Sequence, residues 1–69
     1  MQSFDVVATL QAYPEQRIGR GQVGTVIETL DRNHLLVEFA DLNGVAYAIT
    51  PIPADALIAL THAPVDRLA

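Results

Sequence analysis

Two arginines close together, Arg17 and Arg20, are the first residues whose type invites chemistry, because a guanidinium offers a planar fork of donors to a carboxylate or phosphate. Tyr13 and Glu15 stand beside them, and the four read as a small recognition surface for a carboxylate, a phosphate or an acidic partner protein. The competing reading is a solvated polar loop, since two phosphate contacts supply little affinity. Arg32 falls in a later turn. His34 and His62 are the only imidazoles, and a zinc site needs at least one further ligand, which only Asp or Glu supplies in a chain without cysteine. No metal-binding spacing is present. The acids Asp5, Glu28, Glu38, Asp41 and Asp55 sit on alternating or turn positions, so nothing pairs two of them for acid–base work. Asp55 reads instead as the cap of a short helical turn. Ser3 lacks a Gly-x-Ser-x-Gly setting, and Gly19, Gly21 and Gly24 lack the Lys-Ser/Thr and the following helix of a phosphate loop. The expectation is a non-enzyme that holds no metal and no cofactor.

Composition sharpens that expectation. Eight acidic residues stand against four arginines and no lysine, giving a net charge of −4. A phosphate-backbone binder relies on several cations to release counterions, so nucleic acid is a disfavoured partner. Without cysteine there are no disulfides, thiolate ligands or thiol nucleophiles. The N-terminus has no basic n-region, and the apolar runs fall far short of the roughly 18 residues of a membrane span. A cytoplasmic location away from membranes is the expected one. Hydrophobic residues make up 51% of the chain and charged residues 17%, against about 25% charged in a typical soluble domain. A chain of this size buries only about 60% of its unfolded surface, so it cannot hide all of that apolar material.

The elements that must position these residues follow from period and punctuation. Phe4 to Leu10 alternates, with Val6, Ala8 and Leu10 on one face and Asp5, Val7 and Thr9 on the other, which predicts a first strand. Residues 11–22 carry Pro14, Gly19 and Gly21 among polar neighbours and read as one long loop. Val23 to Leu30 is rich in β-branched residues and reads as a second strand, with Gly24 a bulge or a point of close approach. Asp31-Arg32-Asn33 is a compact turn leading to residues 34–40, where Leu35, Val37 and Phe39 point inward and His34, Leu36 and Glu38 outward. Asn43-Gly44 turns the chain into a fourth strand, Val45 to Thr50, with Val45, Tyr47 and Ile49 on one face and Ala46, Ala48 and Thr50 on the other. Pro51 and Pro53 are expected to stop ladder pairing, residues 53–57 to form one helical turn, and Ile58 to Thr61 a last strand. The expected fold is all-β, a five-stranded SH3-like barrel over residues 1–63, with a frayed tail at 64–69.

Arg20-Gly21-Gln22-Val23-Gly24-Thr25-Val26, followed by Val37-Glu38-Phe39-Ala40-Asp41, resembles a small bacterial family known only as a domain of unknown function. The opening Asp5-Val6-Val7 and the closing Ile52-Pro53-Ala54-Asp55-Ala56-Leu57 are similar to the same family, so the resemblance covers roughly residues 4 to 60. The Arg-Gly-x-x-Gly-x-Val element also resembles the KOW-type motif of ribosomal and transcription-elongation proteins, and the barrels of small photosynthetic subunits and of the nitrile hydratase β-chain. Those proteins share shape more than task. A structural need explains the element without a function: Gly21 and Gly24 let the chain turn sharply out of the long loop into the second strand.

Apolar residues beyond the expected inward set, namely Val7, Ile18, Leu36, Leu42, Ile52, Ile58 and Leu68, would mark an interface if they cluster. The functional expectation is therefore a protein-binding module: an accessory or regulatory subunit, or an antitoxin-like or immunity-like partner of another protein. Leu36 and Leu42 would dock, with Tyr13, Arg17 and Arg20 at the rim. Two alternatives stand beside it. One is a KOW-like RNA- or ribosome-associated domain with Arg17, Arg20 and Arg32 on phosphates; the other is a self-assembling homodimer that buries its own apolar excess.

Overall fold

The computed structural model describes residues 1–61 and Pro64. His62, Leu68 and, apart from Pro64, the expected tail lie outside the described residues. Five strands, β1 (Val6–Thr9), β2 (Val23–Thr29), β3 (His34–Ala40), β4 (Ala46–Pro53) and β5 (Leu57–Ala59), form one antiparallel sheet in the order β4-β3-β2-β1-β5. One 3₁₀ turn, Pro14–Gln16, interrupts the long loop, and a second, Ala54–Ala56, precedes β5. Strand order, long first loop and 3₁₀ turn before the last strand are those of an SH3-like barrel.

β3 forms as its alternation predicts: Leu35, Val37 and Phe39 are buried while His34, Leu36 and Glu38 face outward. These three side chains are the centre of a core completed by Val7, Ile18, Val26, Ile52, Ala56 and Leu57. Gly24 is required here by space. A Cβ at this position would stand 2.7 Å from Val37 Cγ1 and 2.8 Å from Phe39 Cε1, so β2 crosses the core at a distance only glycine allows. The ladder irregularity lies further on, between Val26 and Glu28, and not at Gly24.

Three expectations about faces need correction. On β1, Val7 and Thr9 are the fully buried residues; Ala8 is buried as expected, but Val6 is only partly so and Leu10 is half exposed. Apolar residues occupy both parities of this strand, and its partners decide between them: Val7 lies opposite Gly24 on one side and Ala59 on the other. On β4, Thr50 and Ile52 are buried while Val45 and Ile49 are exposed. Ile18, the one large aliphatic residue in the 11–22 loop, folds back into the core through a bridge between Tyr13 and Ile18. Val7, Ile18 and Ile52 thus leave the set of surplus surface residues.

Pro51 and Pro53 do not end the ladder. Pro51 lies opposite Leu36 and Pro53 opposite His34, and β4 runs through both. In an edge strand alternate N–H groups face away from the neighbour, so prolines two apart on that side cost no ladder hydrogen bond. Asp55 is exposed and makes no cap; the second 3₁₀ turn is entered from Pro53 without a side-chain cap, and is held by Ala54 N–H donating to the Asn33 carbonyl at 2.8 Å.

Both hairpins are closed by aspartates. Asp41 Oδ1 accepts from the N–H groups of Asn43 and Val45, with Gly44 at φ +80° completing the turn. Asp31 Oδ1 accepts from Asn33 N–H at 2.7 Å and lies 3.1 Å from His34 Nδ1. The Asn33 N–H, and after it the His34 ring, hold the Asp31 carboxyl below its ordinary 3.8. A depressed folded-state value means a contribution fully present above 3.8 and lost as pH falls through the folded value. Acid unfolding should therefore be shallower in Asp31→Asn than in the parent, as followed by circular dichroism below pH 3.8. Identical acid limbs would show that the turn does not depend on the carboxylate.

Candidate functional site

Of the residues singled out in the sequence, Tyr13 and Arg17 fall in one neighbourhood, Arg20 and Leu42 in another, and Leu36 in neither. Tyr13 is partly buried against the core, and with Ala12, Pro14, Glu15 and Gln16 it lines a shallow depression of about 260 Å³. Arg17 ends the first 3₁₀ turn in the left-handed region, φ 62°, and its guanidinium carbon lies 5.5 Å from the ring centroid of Tyr47 on β4. That is a cation–π contact. Tyr47 in turn sits 6.5 Å from the buried Phe39 ring. The Arg17 head is thus held on a tyrosine packed against the core, a role for Tyr47 that strand alternation alone does not reveal.

Arg20 and Leu42 belong to the second neighbourhood. A depression of about 500 Å³ is lined by Arg20, Val23, Thr25, Glu38, Ala40 and Leu42, together with the Gly21, Gln22 and Gly24 backbone region. A second, of about 480 Å³, is lined by Ala8, Thr9, Leu10, Gly21, Ile58 and again Arg20. The two meet at Arg20–Gly21 and lie along the outer side of the sheet. Register explains the arrangement: Ile58, Ala8 and Val23 stand side by side on β5, β1 and β2, and Thr25 lies opposite Glu38 on the next row. Leu10, Val23 and Ile58 are each about half exposed, and Leu42, at the β3–β4 turn, is fully exposed. Leu36 is half-buried further along β3, between Glu28 and Pro51, and lines neither depression.

Thr9 fixes Arg20 on this surface. Its buried hydroxyl donates to the Gly19 carbonyl at 2.8 Å and accepts from Gln22 N–H at 3.2 Å. Its backbone adds two bonds, accepting from Gly21 N–H and donating to the Gln22 carbonyl. Gly21, at φ +80°, supplies the left-handed residue that bends the segment back onto β1. The loop segment on either side of Arg20 is therefore pinned to β1 at both ends. A threonine on the buried parity of a strand next to a glycine-rich loop is the signal that sequence reading passed over.

Residues 3–59 match the model of a family described as a domain of unknown function, DUF4926. The chain belongs to that family. In this DUF4926 domain the matched stretch runs from before β1 to the end of β5, so it includes all five strands and every residue lining the two adjoining depressions. No curated protein and no solved structure matches the chain. Among the described residues no group of three or more His, Asp or Glu side chains is placed to hold a metal ion, and no helix is long and apolar enough to cross a membrane.

Proposed function

We propose that this domain is a non-catalytic docking module, an accessory or regulatory subunit, that binds another polypeptide across the outer side of β5, β1, β2 and β3. The observation that carries this reading is the pair of joined depressions floored by Ala8, Val23, Ala40, Leu42 and Ile58, with Arg20 between them. Few charges around several apolar side chains open to solvent suit an interface centre, whose compositional mark is the depletion of charge. The arginines support a protein partner over a phosphate backbone: Arg17 is committed to Tyr47, Arg20 precedes β2, and Arg32 follows its far end. Three cations so dispersed do not line one phosphate track.

Leu42→Ser and Ile58→Ser test the reading. Both side chains are exposed, so each change should leave the melting temperature nearly unaltered, as surface substitutions within about 0.5 kcal/mol do. Capture of the bound protein by the tagged domain should fall by about tenfold or more in the double variant, which removes two interface anchors. Leu36→Ser, outside the depressions, should capture as the parent does. Equal capture by all variants would place the contact elsewhere.

A further inference from the structure

Among the described residues, Arg20 and Glu38 are the only charged ones lining the two joined depressions, and both line the larger one. Among the described residues neither side chain makes an ion pair or a hydrogen bond within the chain. Glu38 is also partly buried, on β3 between Thr25 and Ile49. Among the described residues this face thus carries one cation and one anion, neither paired with the other, beside exposed apolar side chains in a chain of net charge −4.

We infer that the occupant of this face is a second copy of the same chain, docked about a two-fold axis so that Arg20 of each copy meets Glu38 of the other. The inference rests on the docking reading above and names its partner. In a two-fold contact residue i meets residue j and j meets i, so the same patch must carry both members of each pair. A purely acidic or purely basic partner would leave Glu38 or Arg20 facing its own sign. A second copy satisfies both charges at once and covers Val23, Leu42 and Ile58 with their own equivalents. A standard interface takes about 800 Å² from each partner, roughly a sixth of the 5152 Å² this chain exposes, and the two depressions draw on four of the five strands. The small core gives self-association a thermodynamic role as well, since a domain of this length is marginal alone.

Sedimentation equilibrium of the full chain, of R20E, of E38R and of their equimolar mixture tests this. The parent should sediment at twice the 7.5 kDa of one chain. Each reversal alone sets like charges across the axis and should weaken association by about tenfold or more. The mixture should recover parental association, because every pair across the axis again joins opposite charges. A parent that stays monomeric up to about 1 mM, or a mixture no tighter than either variant, overturns the inference. If E38R does not fold, R20E alone decides, and undiminished association counts against the pairing. A monomeric parent that still loses capture of another protein in the Leu42→Ser, Ile58→Ser variant would end self-docking and leave the docking face standing. Loss of neither would end both.

Discussion

Gly24→Ala should lower the melting temperature by roughly 5–20 °C. The added methyl would sit 2.7 Å from Val37 Cγ1 and 2.8–2.9 Å from the Phe39 ring, and both neighbours are fully buried. Nothing there can yield without opening the core, and overpacking of this kind costs about 1–3 kcal/mol. In a domain of this size each kcal/mol moves the midpoint by about 4–8 °C. Gly24→Val, with two further methyls, should leave too little stability to fold. A specific compensation follows: with Val37→Ala as the background, Gly24→Ala should cost less than it does alone, because the nearest clash is removed. Additive losses in that cycle would mean that the strand shifts as a body rather than pressing on Val37.

Thr9→Val should have the second large effect. Valine keeps the shape of threonine and removes one hydroxyl, so the Gly19 carbonyl and the Gln22 N–H each lose a bond to β1 and keep only the 3.1 Å bond between themselves. The loss of two hydrogen bonds costs about 1–3 kcal/mol together, again several degrees in a chain this small. The loss should also be local. Amide exchange should quicken first at Gly19 to Gln22, and the loop that carries Arg20 should lose its fixed position against β1. Thr9→Ser, which keeps the hydroxyl, should recover most of the stability. A valine variant as stable as the parent, with unchanged exchange in the loop, would remove Thr9 from the account.

These two positions also show where sequence reading succeeds and where it stops. β3 is legible because large apolar residues alternate with His34 and Glu38, so only one parity can face the core. β1 is not, because Val6, Val7, Ala8 and Leu10 put apolar side chains on both faces, and the choice rests on Gly24 and Ala59 in strands distant in sequence. Thr9 takes its importance from the same unresolved parity. Ile18 reads as a stray residue in a polar loop until the loop is seen to close on itself at Tyr13. Pro51 and Pro53 look like terminators, yet an edge strand tolerates them; strand order, not local propensity, decides. Gly24 is legible as special, a bulge or a point of close approach, but the atoms it makes room for belong to β3. At the candidate site, Arg20 and Leu42 stand out by type, whereas Val23, Glu38 and Ile58 become their neighbours only through register.

The central claim, that the outer side of the sheet around Arg20 is a docking face, is tested most directly by placing a photo-cross-linking amino acid at position 42 and, separately, at exposed position 55, in living cells. Position 42 lies at the depression, and position 55 lines neither. The account predicts one discrete adduct from position 42 and none from position 55, its mass showing whether the captured chain is a second copy or another protein. No adduct from position 42, or the same products from both positions, would contradict it.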